Sequence, residues 1–245
     1  LQSFYTDVYF TVSYLAERRK KIKKEFYTRQ LIKIQRHVRA GSLLDVGCGV
    51  GLFMEAAAYN GWDVRGIDVA EFAVQTAQKS FGDRVRIGGF SSSTFEGIYF
   101  DLITFWDSLE HLPDPVSTLK SACSRLKENG LLVVKVPNTV KSFFLLTKIL
   151  KSFGINAEKP IVHLPSHLYH FQPRTIRRLL EFCGFQAVEM NFLNEKRVSE
   201  SEHYFPVLNL FKRLFFASLK LLNYKESIVV YARRLNNQTA AGNFE

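Results

Sequence analysis

The sequence predicts an α/β three-layer sandwich built on a mostly parallel sheet, and three observations predict it. From residue 43 onward, short apolar runs alternate with stretches of helical periodicity, which is the pattern of βαβ units. The first run empties into a glycine-spaced turn, LLDVGCGVG at residues 43–51, that leads straight into a helix. A second run, roughly 20 residues on, ends in the carboxylate Asp68. With 245 residues, 47% of them hydrophobic, the chain can bury one large core and needs no second one.

Residues 1–40 read as a helical cap. Tyr27, Leu31, Ile34 and Val38 fall on one face, and Arg18, Arg19, Lys20, Lys21, Lys23 and Lys24 form a basic run before them. The domain proper spans residues 41–235. Its first strand is 43–46, and the following helix starts near Leu52 and stops at Asn60-Gly61, where glycine takes the left-handed cap. A strand at 63–67, a helix at 71–80 and a strand at 84–87 come next, closed by Gly88, Gly89 and Phe90. The fourth strand, 101–105, delivers Trp106, Asp107, Glu110 and His111 to the carboxyl rim, where open α/β sheets bind ligands. Pro113 and Pro115 punctuate the loop, and a helix at 116–127 leads to the fifth strand, 131–136.

Beyond Asn138 two basic amphipathic helices are expected, within insertions at about 139–170 and 200–224. In residues 141–153 Phe143, Leu146, Ile149, Leu150 and Phe153 oppose Lys141, Lys148 and Lys151. In residues 206–222 Leu208, Phe211, Phe215, Leu219 and Leu222 oppose Lys212, Arg213 and Lys220. Between them a helix at 172–183, ended by Gly184, precedes a strand at 185–192. The last strand is 227–233, and residues 236–245 read as a flexible tail.

The net charge of +10 and a pI near 9.5 suit an anionic partner without choosing among nucleic acid, a lipid surface and an acidic substrate. Cys48, Cys123 and Cys183 are too widely spaced for a disulfide framework or a zinc site, which points to a reducing, cytoplasmic setting. No apolar run reaches the roughly 18 residues of a membrane span, and no signal peptide is evident. The chain begins at Leu1 rather than Met, so its native N-terminus is open to extension.

Glycine at 47, 49 and 51 permits positive φ and keeps side chains out of the space a nucleotide-like ligand needs. Asp68 is placed to accept from both ribose hydroxyls. A dinucleotide fingerprint would need G-x-G-x-x-G for its pyrophosphate, but Leu52 follows Gly51 here and Asp45 stands two residues before Gly47. That carboxylate repels a pyrophosphate and suits a ligand carrying an ammonium and a sulfonium.

With FDLITFWDSLEHLPDP at 100–115, GLLVVKVPN at 130–138 and HLYHFQPRTIRRLLEFCGF at 167–185, the chain resembles the class I S-adenosylmethionine-dependent methyltransferases over residues 43–192, in their ubiquinone-biosynthesis-like group. The resemblance implies a Rossmann-like sheet of seven strands, the last antiparallel and inserted in the sheet. It implies S-adenosyl-L-methionine as cofactor, S-adenosyl-L-homocysteine as product, and an N-terminal helix over the mouth. The cofactor-binding set it implies is Asp45, Gly47, Cys48, Gly49, Gly51, Asp68, Val69, Gly89, Phe90, Trp106 and Asp107. Many relatives place an acidic residue after the third strand for the adenine amino group. This chain has none, and Phe90 stacking or backbone near Ser91 is expected to serve.

Methyl transfer from a sulfonium is an in-line displacement, so the protein mainly aligns the partners. A hydroxyl acceptor also needs a base. His111 is the first candidate, followed by His163, His167 and His170 in HLPSHLYH. Asp107, Glu110 and His111, with His167 or His170, resemble the metal set of some quinone-pathway and small-RNA terminal 2′-O-methyltransferases, but the motif also occurs without a metal and none is expected. The predicted acceptor is an oxygen or carbon of a small molecule: a lipid, quinone, polyketide or glycan. The basic helices would form a lid or touch an anionic membrane. One alternative is an RNA methyltransferase, against which the strand-four motif is Trp-Asp-Ser-Leu rather than Asn/Asp-Pro-Pro-aromatic, with no nucleic-acid module appended. The other is a non-catalytic domain that binds cofactor or a partner. Oligomeric state has no signature.

Overall fold

Inside the sheet, third of its seven strands, lies β1 (Ser42–Val46), whose Leu43, Leu44, Asp45 and Val46 are all buried. A strand without alternation is one covered on both faces, as parallel sheets require. The computed structural model describes residues 17–138, 167–193 and 225–235. Within these, β1 pairs in parallel with β2 (Asp63–Asp68) on one side and β4 (Phe100–Trp106) on the other. The sheet extends to β3 (Val85–Ile87) past β2, and to β5 (Leu126–Pro137), β7 (Ser227–Arg234) and β6 (Phe185–Leu193) past β4, in the order β3-β2-β1-β4-β5-β7-β6. Only β7 runs against its neighbours, with Val230 opposite Val134 of β5 and Met190 of β6.

Side-chain alternation sorts the core into two layers. Leu44, Val46, Ile103, Phe105, Leu132 and Val134 pack with Leu119 and Ala122 of α4 (Pro115–Arg125) and Ile176 and Leu180 of α5 (Pro173–Phe182). Leu43, Leu102, Leu131 and Val133 face the other way. They pack with Leu31 and Ile34 of α1 (Glu17–Ile34), Phe53 and Met54 of α2 (Leu52–Tyr59), and Val74 and Ala77 of α3 (Glu71–Phe81).

Those elements read from the sequence that fall within the described residues all occur, with shifted ends. Among the strands the largest shift is at β5, which starts at Leu126 rather than 131. Leu126 pairs with Phe100, and a bulge then carries the register to Leu102 opposite Leu131. Accordingly α4 ends at Arg125. Its start is capped by Asp114, which accepts from the Ser117 amide, with Pro115 at the first helical position. The cap helix stops at Ile34, so Val38 lies beyond it in a turn. Gln30 of this helix accepts from the buried Tyr231 hydroxyl at 3.1 Å, tying α1 to the middle of β7. The expected insertion helices, the tail and His163 lie outside the described residues.

Candidate active site

The turn after β1 is built from its own amides. Gly47 and Cys48 both donate to the Ile67 carbonyl, at 2.8 and 3.1 Å, and Gly51 donates to the Cys48 carbonyl at 3.0 Å. Gly49 donates to Asp68 Oδ2 at 2.8 Å, while Asp68 Oδ1 accepts from Ala70 at 2.9 Å. Amides engaged in this way cannot form a nest for a pyrophosphate. The turn instead holds a carboxylate at its mouth, each oxygen keeping acceptor capacity for a hydroxyl.

Gly47, Gly49 and Gly51 have φ of 78°, 54° and 86°, as the spacing predicts. The reason for their size differs from the expectation at two of them. A Cβ on Gly47 would fall 2.4 Å from that of Ser108, and one on Gly51 would fall 3.3 Å from Ala77 and Phe81, so the protein itself fills those spaces. Ser108 Oγ donates to the Val46 carbonyl at 2.6 Å and clasps the end of β4 to the end of β1. Cys48 is buried, its sulfur beside Gly66, so only its backbone reaches the turn's outer side.

Asp45 is buried beneath the turn, 2% exposed, and accepts from Thr104 Oγ1 at 2.7 Å. Burial pushes its carboxyl up to about 7, against the lowering effect of Thr104 and with repulsion from Asp68 adding to the rise. Burial also raises Asp68, opposed by the amides of Ala70, Gly49 and Val69 and by the charge of His111. The carboxyl ends of β2 and β3 leave Val69 and Ile87 exposed, with open space beside Gly89. Phe90 packs into the core at 7% exposed, and the Ser91 amide donates to Thr94 Oγ1.

The end of β4 separates residues that the motif D-x-x-E-H groups. Trp106 is buried against Phe53, Tyr27 and Phe26, ring centroids 5.1, 5.7 and 5.9 Å away, which puts α1 over this end of the strand. Asp107 turns to Lys135 of β5, whose Nζ stands 2.5 Å from both its oxygens. Glu110 and His111 lie on a 3₁₀ turn (Leu109–His111), and the Glu110 carbonyl accepts from the amides of Leu168 and Tyr169 at 2.9 and 3.1 Å. That clamp brings His167 to His111, ring centroids 4.8 Å apart, and His170 lies 6.3 Å further on, its pKa lowered by burial. One donor atom each from Glu110, His111 and His167 lies within 4.8 Å of the others, a grouping that could hold a metal ion.

Lys135, Ser108 and Thr104 were not found by motif reasoning. A lysine inside the apolar run LLVVKV was the one available signal, since lysine is rarely buried unless paired.

A sheet ordered 3-2-1-4-5-7-6, a glycine turn closed by an acidic strand end, and a histidine-bearing rim define a class I S-adenosylmethionine-dependent methyltransferase. The chain belongs to the family described as "Methyltransferase domain", whose sequence model matches residues 14–190. It is 32% identical over 173 residues to the ubiquinone biosynthesis O-methyltransferase of Actinobacillus pleuropneumoniae serotype 5b, covering 64% of this chain and 71% of that protein. The enzyme of the same name from Nitrosospira multiformis is 28% identical over 165 residues, 64% and 68% of the two chains. Among solved structures, a SAM-dependent methyltransferase from Archaeoglobus fulgidus matches at TM-score 0.59 and 20% identity, covering 91% of this chain and 100% of that one. Magnesium protoporphyrin IX methyltransferase from Synechocystis, solved with bound SAH, matches at 0.57 and 16% identity, covering 95% and 97%. These two likenesses show the fold. No helix among the described residues is long and apolar enough to cross a membrane.

Proposed function

We propose that this methyltransferase acts on an oxygen of a small molecule, of the quinone, lipid, polyketide or glycan kind, with a carbon acceptor as the variant that needs no strong base. The observation that carries the oxygen reading is the His111–His167 pair, fastened to the same rim as the Asp68 cradle. Similarity to enzymes named ubiquinone biosynthesis O-methyltransferase supports it.

S-adenosylmethionine supplies an already activated methyl group on a sulfonium. Asp68 receives the ribose hydroxyls, and Val69 and Ile87 flank the adenine. Gly89 leaves the approach open, and Asp45, whose carboxyl burial pushes up to about 7, adds negative potential below the turn once it ionises. Trp106 forms the apolar wall at the methionine end, and Asp107 lies beside it. His111 takes the proton from the acceptor hydroxyl at Nδ1 or Nε2, with His167 at its side to steady the ring and Glu110 to stabilise the imidazolium.

A second reading is favoured by the grouping of Glu110, His111 and His167. Mixed oxygen and nitrogen donors suit a divalent ion, which would lower the pKa of a bound hydroxyl and replace the protein base. Asp107 does not belong to that set, because it pairs with Lys135. Contact of residues 141–153 and 206–222 with anionic lipid is part of the main reading and would bring a lipid-borne acceptor to the rim.

The test is calorimetric titration with S-adenosylmethionine and S-adenosylhomocysteine, then transfer of labelled methyl to catechol and quinol acceptors with EDTA or Mg²⁺, with and without anionic vesicles. Binding with transfer that survives EDTA supports the histidine base. Transfer only with Mg²⁺ moves the assignment to the metal set, and binding with no transfer to any hydroxyl acceptor counts against the oxygen reading.

A further inference from the structure

The sheet has two edges, and they are finished differently. At one of them β3 is three residues long, follows Arg84 and carries Arg86, both exposed. Short strands and outward charges are how sheets keep their edges from pairing with another chain. At the other edge β6 has nine residues, FQAVEMNFL, with no lysine, arginine or proline. Its one charged group, Glu189, is engaged within the chain: Oε2 lies 2.8 Å from His37 Nε2, and Oε1 accepts from Asn191 Nδ2 at 2.6 Å. Among the described residues β7 is the only strand paired with β6, so the other side of its backbone ladder is open.

Two apolar side chains of this strand stay out of the core. Val188 is 44% and Phe192 43% exposed, and Met190 between them packs at the margin of the core. Residues 188–192, Val-Glu-Met-Asn-Phe, alternate apolar and polar and read the same in character from either end. A bulge between Ala187 and Glu189 interrupts the pairing to β7 at the start of this stretch. An antiparallel copy centred on Met190 sets Val188 opposite Phe192, Glu189 opposite Asn191 and Met190 opposite itself, so no like charges meet. Such a pattern suits the identical strand across a twofold axis, where one patch supplies both halves of the contact. A chain of net charge +10 repels its own copies at a distance, and β6 lets two of them meet without opposing cations.

We infer that the open edge of β6 is the contact surface for a second copy of this chain, paired antiparallel across a twofold axis at Met190 so that the two sheets run on as one. The inference goes beyond the methyl-transfer reading and does not depend on it.

The test is sedimentation equilibrium of the full chain. The parent should show a concentration-dependent species of twice the 28.2 kDa chain mass. Val188→Lys with Phe192→Lys sets lysine against lysine in both symmetric pairs, and the dissociation constant should rise on the order of tenfold or more. Val188→Glu with Phe192→Lys sets glutamate against lysine at the same places and should stay within about threefold of the parent. Hydrogen exchange on the parent gives a reading that needs no variant: the amides of residues 188–192 should gain protection as the dimer forms. A chain that stays at 28.2 kDa, a double-lysine variant as tight as the parent, or a glutamate–lysine variant no tighter than the double lysine would overturn the inference. Protection that rises on another face would overturn it too, as would a monomer whose 188–192 amides are already protected, because another segment would then cover the edge.

Discussion

Asp68 and Gly49 are joined by a 2.8 Å hydrogen bond from the glycine amide to the carboxylate, so the second strand of the sheet holds the turn that follows the first. In the proposed site the same oxygen pair receives a ribose, which would couple the shape of the turn to ligand binding. Asp68→Ala removes both roles. S-adenosylhomocysteine affinity should fall on the order of a hundredfold, while Asp68→Asn, which keeps one acceptor, should fall less. Calorimetry on the two variants checks the order, and unchanged binding in Asp68→Ala would remove Asp68 from the site.

Gly47 and Gly89 should respond in opposite ways to the same change. Gly47→Ala meets Ser108 at 2.4 Å in a left-handed backbone, so thermal unfolding should show a loss of about 3 kcal/mol. Gly89→Ala points into open space and should cost less than about 0.5 kcal/mol, with its effect confined to cofactor binding.

Asp45 makes the stability of the ligand-free protein depend on pH. Its folded pKa of about 7 lies above the ordinary 3.8, so the native state holds a proton that the unfolded chain releases. This contribution is fully present below about pH 4 and is lost as pH rises to about 7, a change of about 4 kcal/mol. Asp45→Asn keeps the Thr104 bond and removes the ionisation. It should raise the melting temperature at pH 8 and flatten the profile between pH 4 and 7. A melting temperature no higher than the parent's at pH 8 would contradict this.

His111 and His170 separate chemistry from scaffolding. His111→Ala should lower kcat by about 10²- to 10⁴-fold with cofactor affinity unchanged, whereas His170→Ala, a ring further from the turn, should act within about threefold. Single-turnover rates on a hydroxyl acceptor distinguish them.

Much of the fold was legible because buried parallel strands and glycine turns leave strong patterns. Residues 43–46 and the spacing of Gly47, Gly49 and Gly51 were enough to place the crevice. What was not legible depends on contacts far apart in the chain. Nothing near Asp107 announces that its partner is 28 residues away at Lys135, and nothing near Gly47 announces that Ser108 occupies the space beside it. The start of β5 was misplaced because Lys127 to Gly130 look like a turn, and only pairing of Leu126 with Phe100 draws them into the sheet. Phe90 was expected as a stacking ring because an aromatic after a third strand reads the same whether it faces the core or the ligand. That His167 rather than His170 stands next to His111 follows the bonds from the Leu168 and Tyr169 amides to the Glu110 carbonyl, a backbone contact that side-chain motifs do not encode.

The reversed course of β7 has a consequence for how such a protein diversifies. Ser227, where β7 begins, is paired with Pro137 at the end of β5 and with Leu193 at the end of β6. Three chain ends therefore meet at one edge of the sheet, and the stretch from β6 to β7 must depart and return there. The stretch after β5 departs there too and comes back at residues 167–170 on the rim turn. Lengthening or rewriting either stretch leaves every strand pairing intact, so under the proposed function the lineage could exchange one acceptor for another while inheriting the same donor cradle unaltered.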